Sequence, residues 1–233
     1  NSTIPVYAPG TLTINRTTPI AVLSGSPSSP TKQTGATLIV GGGSITEYKY
    51  RLDGGGWSSA TPIAAPIILS GLSDGSHNVD VVGYDGSVWQ SSGLATTAVW
   101  TVDTVPPDTA LTGQPAHPSH SAPVTFTFSS EALAAFECGI DSGGFTGCTS
   151  PKTYTGLSEG GHTFEVRAID QAGNIDPVPA IYNWAVDTIR TVTPTAGAGG
   201  SISPPAPQPV AYGMTKAFMV TANAGYHILS VTG

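Results

Sequence analysis

Two pentapeptides, Gly71-Leu72-Ser73-Asp74-Gly75 and Gly156-Leu157-Ser158-Glu159-Gly160, fit the pattern Gly-x-Ser-x-Gly. That pattern exposes a nucleophilic serine on a tight turn from a strand into a helix. Acyl transfer would further need a histidine to take the serine proton and a carboxylate to orient that histidine. Here each serine lies between two strand-like segments, and the pattern occurs once in each of two similar stretches. A duplicated nucleophile in duplicated turns is the poorer reading. These are hairpin turns, no catalytic residue is expected, and the chain reads as a non-enzyme.

The other chemistry-bearing residues are few. Cys138 and Cys148 flank Asp141-Ser142-Gly143-Gly144 and are the chain's 2 cysteines. Two strands meeting at that turn would bring their Cβ atoms within disulfide reach. Closing so short a loop is worth about 2.5–3 kcal/mol in the chain-entropy picture, and a bridge argues for an oxidising compartment. A redox or metal role would favour Cys-x-x-Cys spacing. His117-Pro118-Ser119-His120 has ligand-like spacing but sits in a proline-rich loop without a third ligand, so zinc is not expected. His77 and His162 begin equivalent strands and read as structural.

Asp170, Asn174 and Asp176 share one loop, with Asp103, Asp108 and Asp187 near module boundaries. Together they could offer oxygen ligands to Ca²⁺, the one cofactor the sequence suggests. Solvated carboxylates that cap turns are the stronger reading. Of 4 tryptophans, Trp100 and Trp184 alternate with polar residues as core positions do, and Trp57 packs or sits at a rim. Trp89 alone lies in a loop without a counterpart, where it could stack on a sugar. Asn15-Arg16-Thr17 and Asn1-Ser2-Thr3 fit the glycosylation pattern, and Asn15 is the plausible acceptor in a glycosylating host.

The composition narrows the partners. Among 233 residues there are 8 basic and 15 acidic side chains, a formal net charge of −7, and only 10% of residues are charged. No basic cluster exists to neutralise phosphates, so nucleic acid is not an expected partner. No run of about 18 apolar residues offers a membrane-spanning helix. Asn1-Ser2-Thr3 opens without the charged and apolar regions of a signal peptide, so any such peptide has been removed or lies upstream.

What positions these residues is a repeat. Leu72 to Val81 returns as Leu157 to Val166 at an offset of 85, and Trp100-Thr101-Val102-Asp103-Thr104 returns as Trp184-Ala185-Val186-Asp187-Thr188 at 84. Tyr48, Tyr50, Leu52-Asp53 and Trp57 match Phe136, Cys138, Ile140-Asp141 and Phe145 at 88. Loop-length variation between fixed strands accounts for the drift. Alternation at Val79/Val81, Phe164/Val166 and Val124-Thr125-Phe126-Thr127-Phe128 has the period of half-buried strands, and Gly-rich turns separate them. The spacing predicts an all-β chain: an N-terminal strand or linker over 1–18, β-sandwiches over 19–104 and 105–188, and part of a β-module over 189–233. Val105-Pro106-Pro107 makes the boundary extended and stiff.

The stretch from Pro107 to Thr188 resembles the bacterial immunoglobulin-like repeats of long secreted and surface proteins. The likeness rests on Pro106-Pro107-Asp108-Thr109, Phe136-Glu137-Cys138, Gly156-Leu157, His162 to Val166, Ala168-Ile169-Asp170-Gln171-Ala172-Gly173-Asn174 and Trp184 to Thr188. Residues 19–104 are similar but depart from the pattern: Tyr50 replaces the cysteine, and Gly86-Ser87-Val88-Trp89 replaces the Ala-Gly-Asn loop. Residues 191–233 resemble the first half of a divergent internalin B-repeat. The resemblance covers everything after about Pro19 and implies tandem immunoglobulin-like or fibronectin III-like sandwiches in an extracellular or cell-surface setting. Such modules serve as spacers in one protein and as binding domains in another.

The reading is therefore a non-catalytic structural or adhesive scaffold segment in a surface protein or fibre. Its expected partners are other modules or subunits of the same kind, with surface glycans at Trp89 as a further possibility. Two alternatives stand beside it. In one, residues 1–16, which alternate apolar and polar over Ile4 to Ile14, donate a strand to a neighbouring filament subunit. In the other, the modules are accessory or glycan-binding parts of a larger secreted enzyme or redox protein.

Overall fold

A computed structural model describes residues 18–121 and 123–231, in two compact units that divide between Thr104 and Val105. The first unit holds β1 (Val22–Ser24), β2 (Ala36–Gly41), β3 (Glu47–Leu52), β4 (Thr61–Pro62), β5 (Ile67–Leu69), β6 (Gly75–Tyr84) and β7 (Thr96–Val102). They form a three-stranded sheet in the order β1-β2-β5 and a four-stranded sheet in the order β4-β3-β6-β7, with every neighbouring pair antiparallel. The only helical element described is a 3-10 turn over Ser92–Leu94.

Alternation decides which face each residue takes. Along β2, Ala36, Leu38 and Val40 are buried while Thr37 and Ile39 are exposed. Leu38, Val40 and Ile67 from one sheet share a core with Tyr48, Val79, Val81, Trp100 and Val102 from the other. A single core bounded by two sheets is the definition of a β-sandwich.

The second unit repeats the plan with β8 (Ala110–Gly113), β9 (Val124–Ser129), β10 (Ala135–Ile140), β11 (Thr146–Cys148), β12 (Lys152–Tyr154), β13 (Gly160–Ile169) and β14 (Ala180–Val186). The sheet orders β12-β9-β8 and β11-β10-β13-β14 reproduce the first sandwich strand for strand. Its core is more aromatic. Phe126 stacks on Phe164 at 4.1 Å between ring centroids and meets Trp184 edge-on at 5.0 Å.

In both sandwiches the chain that precedes the second strand runs parallel to the closing strand and bonds to it. Thr31 bridges Val102 and Ser119 bridges Val186. Thr31 N–H donates to Thr101 O and its carbonyl accepts from Asp103 N–H; Ser119 makes the same two bonds with Ala185 and Asp187.

The three-stranded sheets differ on their outer faces. Val22, Ile39 and Ile68 stand 56%, 58% and 70% exposed on the first. On the second, Thr125 bonds Thr153 and Thr112 bonds Thr127 across the strands.

After β14 come β15 (Ile189–Val192), β16 (Gly200–Ser203), β17 (Gln208–Ala211) and β18 (Met219–Ala222), paired as β15-β17 and β16-β18. Ile202, Val210 and Val220 point to half-covered sides of these ribbons, yet no described residue beyond Val186 is buried. Such two-stranded pieces gain little stability by themselves. An open groove of about 750 Å³ runs over Ile202, Phe218, Val220, Tyr226 and Ile228.

Candidate functional site

The polar network that recurs in both sandwiches centres on a histidine. The hairpin turn after β3 has Asp53 and Gly54 at φ 50° and 69°, and that after β10 has Asp141 and Ser142 at φ 49° and 63°. Two successive left-handed residues make the tight turn that matches strand twist, and aspartate tolerates the first of them. The conformation aims the carboxylate at the start of the ten-residue strand. Asp53 Oδ1 accepts Asn78 N–H at 2.8 Å, and Asp141 Oδ1 accepts Thr163 N–H at 2.9 Å. The second carboxylate oxygen takes the histidine: Asp53 Oδ2 is 2.8 Å from His77 Nδ1, and Asp141 Oδ2 is 2.7 Å from His162 Nδ1.

The other ring nitrogen is also engaged. His77 Nε2 lies 2.8 Å from the Ser73 carbonyl, and His162 Nε2 lies 2.9 Å from that of Ser158. Neither acceptor can donate, so only the imidazolium, with a proton on each nitrogen, satisfies both contacts. The Ser73 carbonyl first, then the Asp53 carboxylate, raise the His77 pKa above its ordinary value against the opposing effect of burial. Ser158 and Asp141 do the same for His162. Burial pushes the Asp53 and Asp141 carboxyls up, but the backbone amide and the histidine together outweigh it and hold both low.

The structure therefore brings serine, histidine and aspartate together at each Gly-x-Ser-x-Gly turn, in an arrangement unlike a hydrolase triad. The histidine meets the serine's carbonyl, and no ring lone pair remains to take a hydroxyl proton.

The adjacent residue in each turn holds the departing chain. Asp74 Oδ1 accepts the Thr104 amide at 2.8 Å and its hydroxyl at 2.9 Å. Glu159 accepts the Thr188 amide and hydroxyl in the same way. Composition and motif reading miss these pairs. The only signal for them is that an acid and a threonine recur at matched places in both repeats.

Cys138 and Cys148 form a disulfide with Cα atoms 5.8 Å apart. They lie diagonally, because Cys138 pairs with Thr146 and Cys148 with Phe136. Trp89 is half-buried: it stacks on Tyr84 at 4.8 Å, and Lys49 Nζ lies 4.7 Å over its ring. Trp57 carries Arg51 at 4.9 Å, and Arg51 also bonds Asp80 at 2.8 Å. In the second sandwich Arg167 covers Phe145 at 4.1 Å and bonds Glu137 at 2.7 Å.

Asp170, Asn174 and Asp176 are all buried. Asp170 accepts both the backbone and side-chain N–H groups of Asn174 at 2.7 Å, and Asp176 Oδ1 accepts Val178 N–H at 2.8 Å. Asp176 Oδ2 has no hydrogen-bond partner. Among the described residues no group of three or more His, Cys, Asp and Glu side chains is placed to hold a metal ion. Of the boundary acids, Asp187 pairs with Arg190 at 2.6 Å, and the Asp108 carbonyl accepts Ser130 Oγ–H at 2.7 Å. His117 and His120 do not converge on a ligand either: His117 Nδ1 accepts Ala185 N–H, and His120 Nδ1 contacts the Asp187 carbonyl. Asn15 and the Ile4 to Ile14 stretch lie outside the described residues. Among the described residues no helix is long and apolar enough to cross a membrane.

No protein-family model matches the sequence, and no curated protein matches it. Among solved structures, the chain is similar to the fibronectin(III)-like modules of Clostridium thermocellum CbhA. The identity is 17% and the TM-score 0.43, over 72% of this chain and 94% of that one. It is also similar to the FN1-FN3 domains of chicken CNTN1, at 10% identity and a TM-score of 0.32 over 88% of each chain.

Proposed function

We propose that this chain is a non-catalytic scaffold segment of tandem β-sandwich modules, working outside the cell in a surface protein or fibre. The observation that carries the reading is the duplication of the histidine network. Both sandwiches bond their histidine to an aspartate carboxylate and a serine carbonyl of their own fold, and that aspartate to a backbone amide, an arrangement that serves architecture. The Cys138–Cys148 bridge suits an oxidising compartment. Its partners on this reading are further modules of the same kind, and residues 189–231 contribute part of another β-module.

Labelling of intact, unpermeabilised source cells with an antibody to this chain tests the reading. Surface signal is the expected result; signal that appears only after permeabilisation overturns it.

A second reading, a filament subunit assembled by strand donation, draws support from the C-terminal ribbons. Their paired strands leave edges open, the groove over them is open, and none of their described residues is buried. Deleting residues 1–16 from the source protein and inspecting it by electron microscopy tests that reading. Loss of filaments supports donation, and unchanged filaments refute it.

A further inference from the structure

Ser73 and Asp74 are neighbours in one turn, and they hold two different parts of the first sandwich. The Ser73 carbonyl takes the ring of His77, while the Asp74 carboxylate takes the amide and hydroxyl of Thr104, just beyond the end of β7. In the second sandwich Ser158 takes His162, and Glu159 takes Thr188, just beyond β14. The histidine is thus bonded to the turn that fixes the departing chain, twice, at matched positions. We propose that His77 and His162 are proton-dependent latches for the two module exits: each imidazolium ties its aspartate turn to its serine turn, and loss of one ring proton loosens the serine turn that grips the exit threonine.

The chemistry follows from the count of donors. An imidazolium has two N–H donors and meets two oxygen acceptors. A neutral ring has one donor, so the remaining lone pair would face an oxygen at 2.7 to 2.9 Å. That contact opens. The carboxylate keeps the remaining N–H because a charged acceptor makes the stronger bond, so the serine turn is the side released.

The groups facing each ring support this order. His77 meets Asp53 from the turn after β3, the Ser73 turn, and the neutral ring of Trp100 on β7 with centroids 6.4 Å apart. Asp74, beside Ser73, is occupied by Thr104. His162 meets Asp141, the Ser158 turn and Trp184 at 5.4 Å. Glu159, beside Ser158, is occupied by Thr188 and lies under the influence of Arg190.

The raised histidine pKa values set the alkaline side. The latch is fully closed below the unfolded-state value of about 6.5 and opens as pH climbs through the raised folded value. On the acid side the aspartates act in the opposite sense. Their depressed pKa values keep the latch closed until pH falls through the folded value, below about 3.9. The closed window lies between the two.

Nuclear magnetic resonance of the isotope-labelled full chain tests the proposal. The His77 and His162 ring nitrogens are expected in the imidazolium form below the ordinary histidine value of about 6.5, with midpoints above it. The Thr104 and Thr188 amides should gain fast motion with the same midpoints. His162→Gln should abolish the step at Thr188 and leave that at Thr104. Should that variant fail to fold, Asp141→Asn retains the ring and is expected to move the Thr188 midpoint to lower pH. Ring midpoints at or below the ordinary histidine value, or threonine amides unchanged while the rings titrate, overturn the proposal.

Discussion

Cys138 and Tyr50 hold the same place in two sandwiches: Cys138 pairs with Val166 on β13, and Tyr50 pairs with Val81 on β6. Where the second sandwich has a covalent bridge to Cys148, the first has an aromatic ring packed 6.4 Å from Tyr48. Reduction should therefore affect only one of the two. The second sandwich is expected to lose about 2–3 kcal/mol on reduction or in a Cys138→Ala/Cys148→Ala variant. Guanidinium melts followed through tryptophan fluorescence should show one transition shifting while the first sandwich's stays in place. Equal shifts in both would contradict the assignment.

The two outer charge pairs achieve one result with reversed strands. Arg51 lies on β3 and bonds Asp80 on β6, whereas Arg167 lies on β13 and bonds Glu137 on β10. Each guanidinium also covers an aromatic ring, Trp57 or Phe145. Arg51→Ala and Arg167→Ala should each cost about 1 kcal/mol, with the ion-pair share of that loss diminished at high salt. Urea melts at low and at molar salt check this, and a loss independent of salt would assign the cost to packing alone.

Core and outer face should respond very differently to truncation. Phe126 is fully buried against Phe164 and Trp184, so Phe126→Ala should cost about 3–5 kcal/mol. Ile39 is 58% exposed, and Ile39→Ala should lie within about 0.5 kcal/mol of wild type. Comparable losses in denaturant titrations would mean that the outer face of the first three-stranded sheet is covered in solution.

The turn carrying Asp170, Asn174 and Asp176 holds itself together through its own hydrogen bonds. Thermal melting in millimolar Ca²⁺ and in excess chelator is expected to give the same midpoint. Asp170→Ala should lower that midpoint under both conditions, by the degrees that about 1–3 kcal/mol produces. A midpoint that rises with Ca²⁺ and loses that response in Asp176→Asn would establish an ion at the unpartnered Asp176 oxygen.

The sandwiches were legible because alternation and repetition agree. Val79, Val81, Phe164 and Val166 alternate at strand period, and Trp100 and Trp184 are core residues as their repeat positions indicate. The histidine network escaped for a physical reason. Its bonds join residues 24 and 21 positions apart, Asp53 to His77 and Asp141 to His162, and only the fold brings those turns together. The charge pairs were hidden more deeply, since Arg51 aligns with Gly139 and Arg167 with Val82. Comparing the repeats position by position breaks each pair apart. The loop of Trp89 has no counterpart in the second repeat, so only the fold shows that the Tyr84 ring and the Lys49 ammonium reach it from neighbouring strands.

The short parallel pairing of Thr31 with Val102, and of Ser119 with Val186, governs how each sandwich would carry tension. The incoming chain and the closing strand run in the same direction, so pulling a module by its two ends slides one strand along the other. Both hydrogen bonds at each bridge are then loaded together in shear instead of being peeled open in turn. The exit threonines, gripped by Asp74 and Glu159, lie at the end of the same strand and share that load.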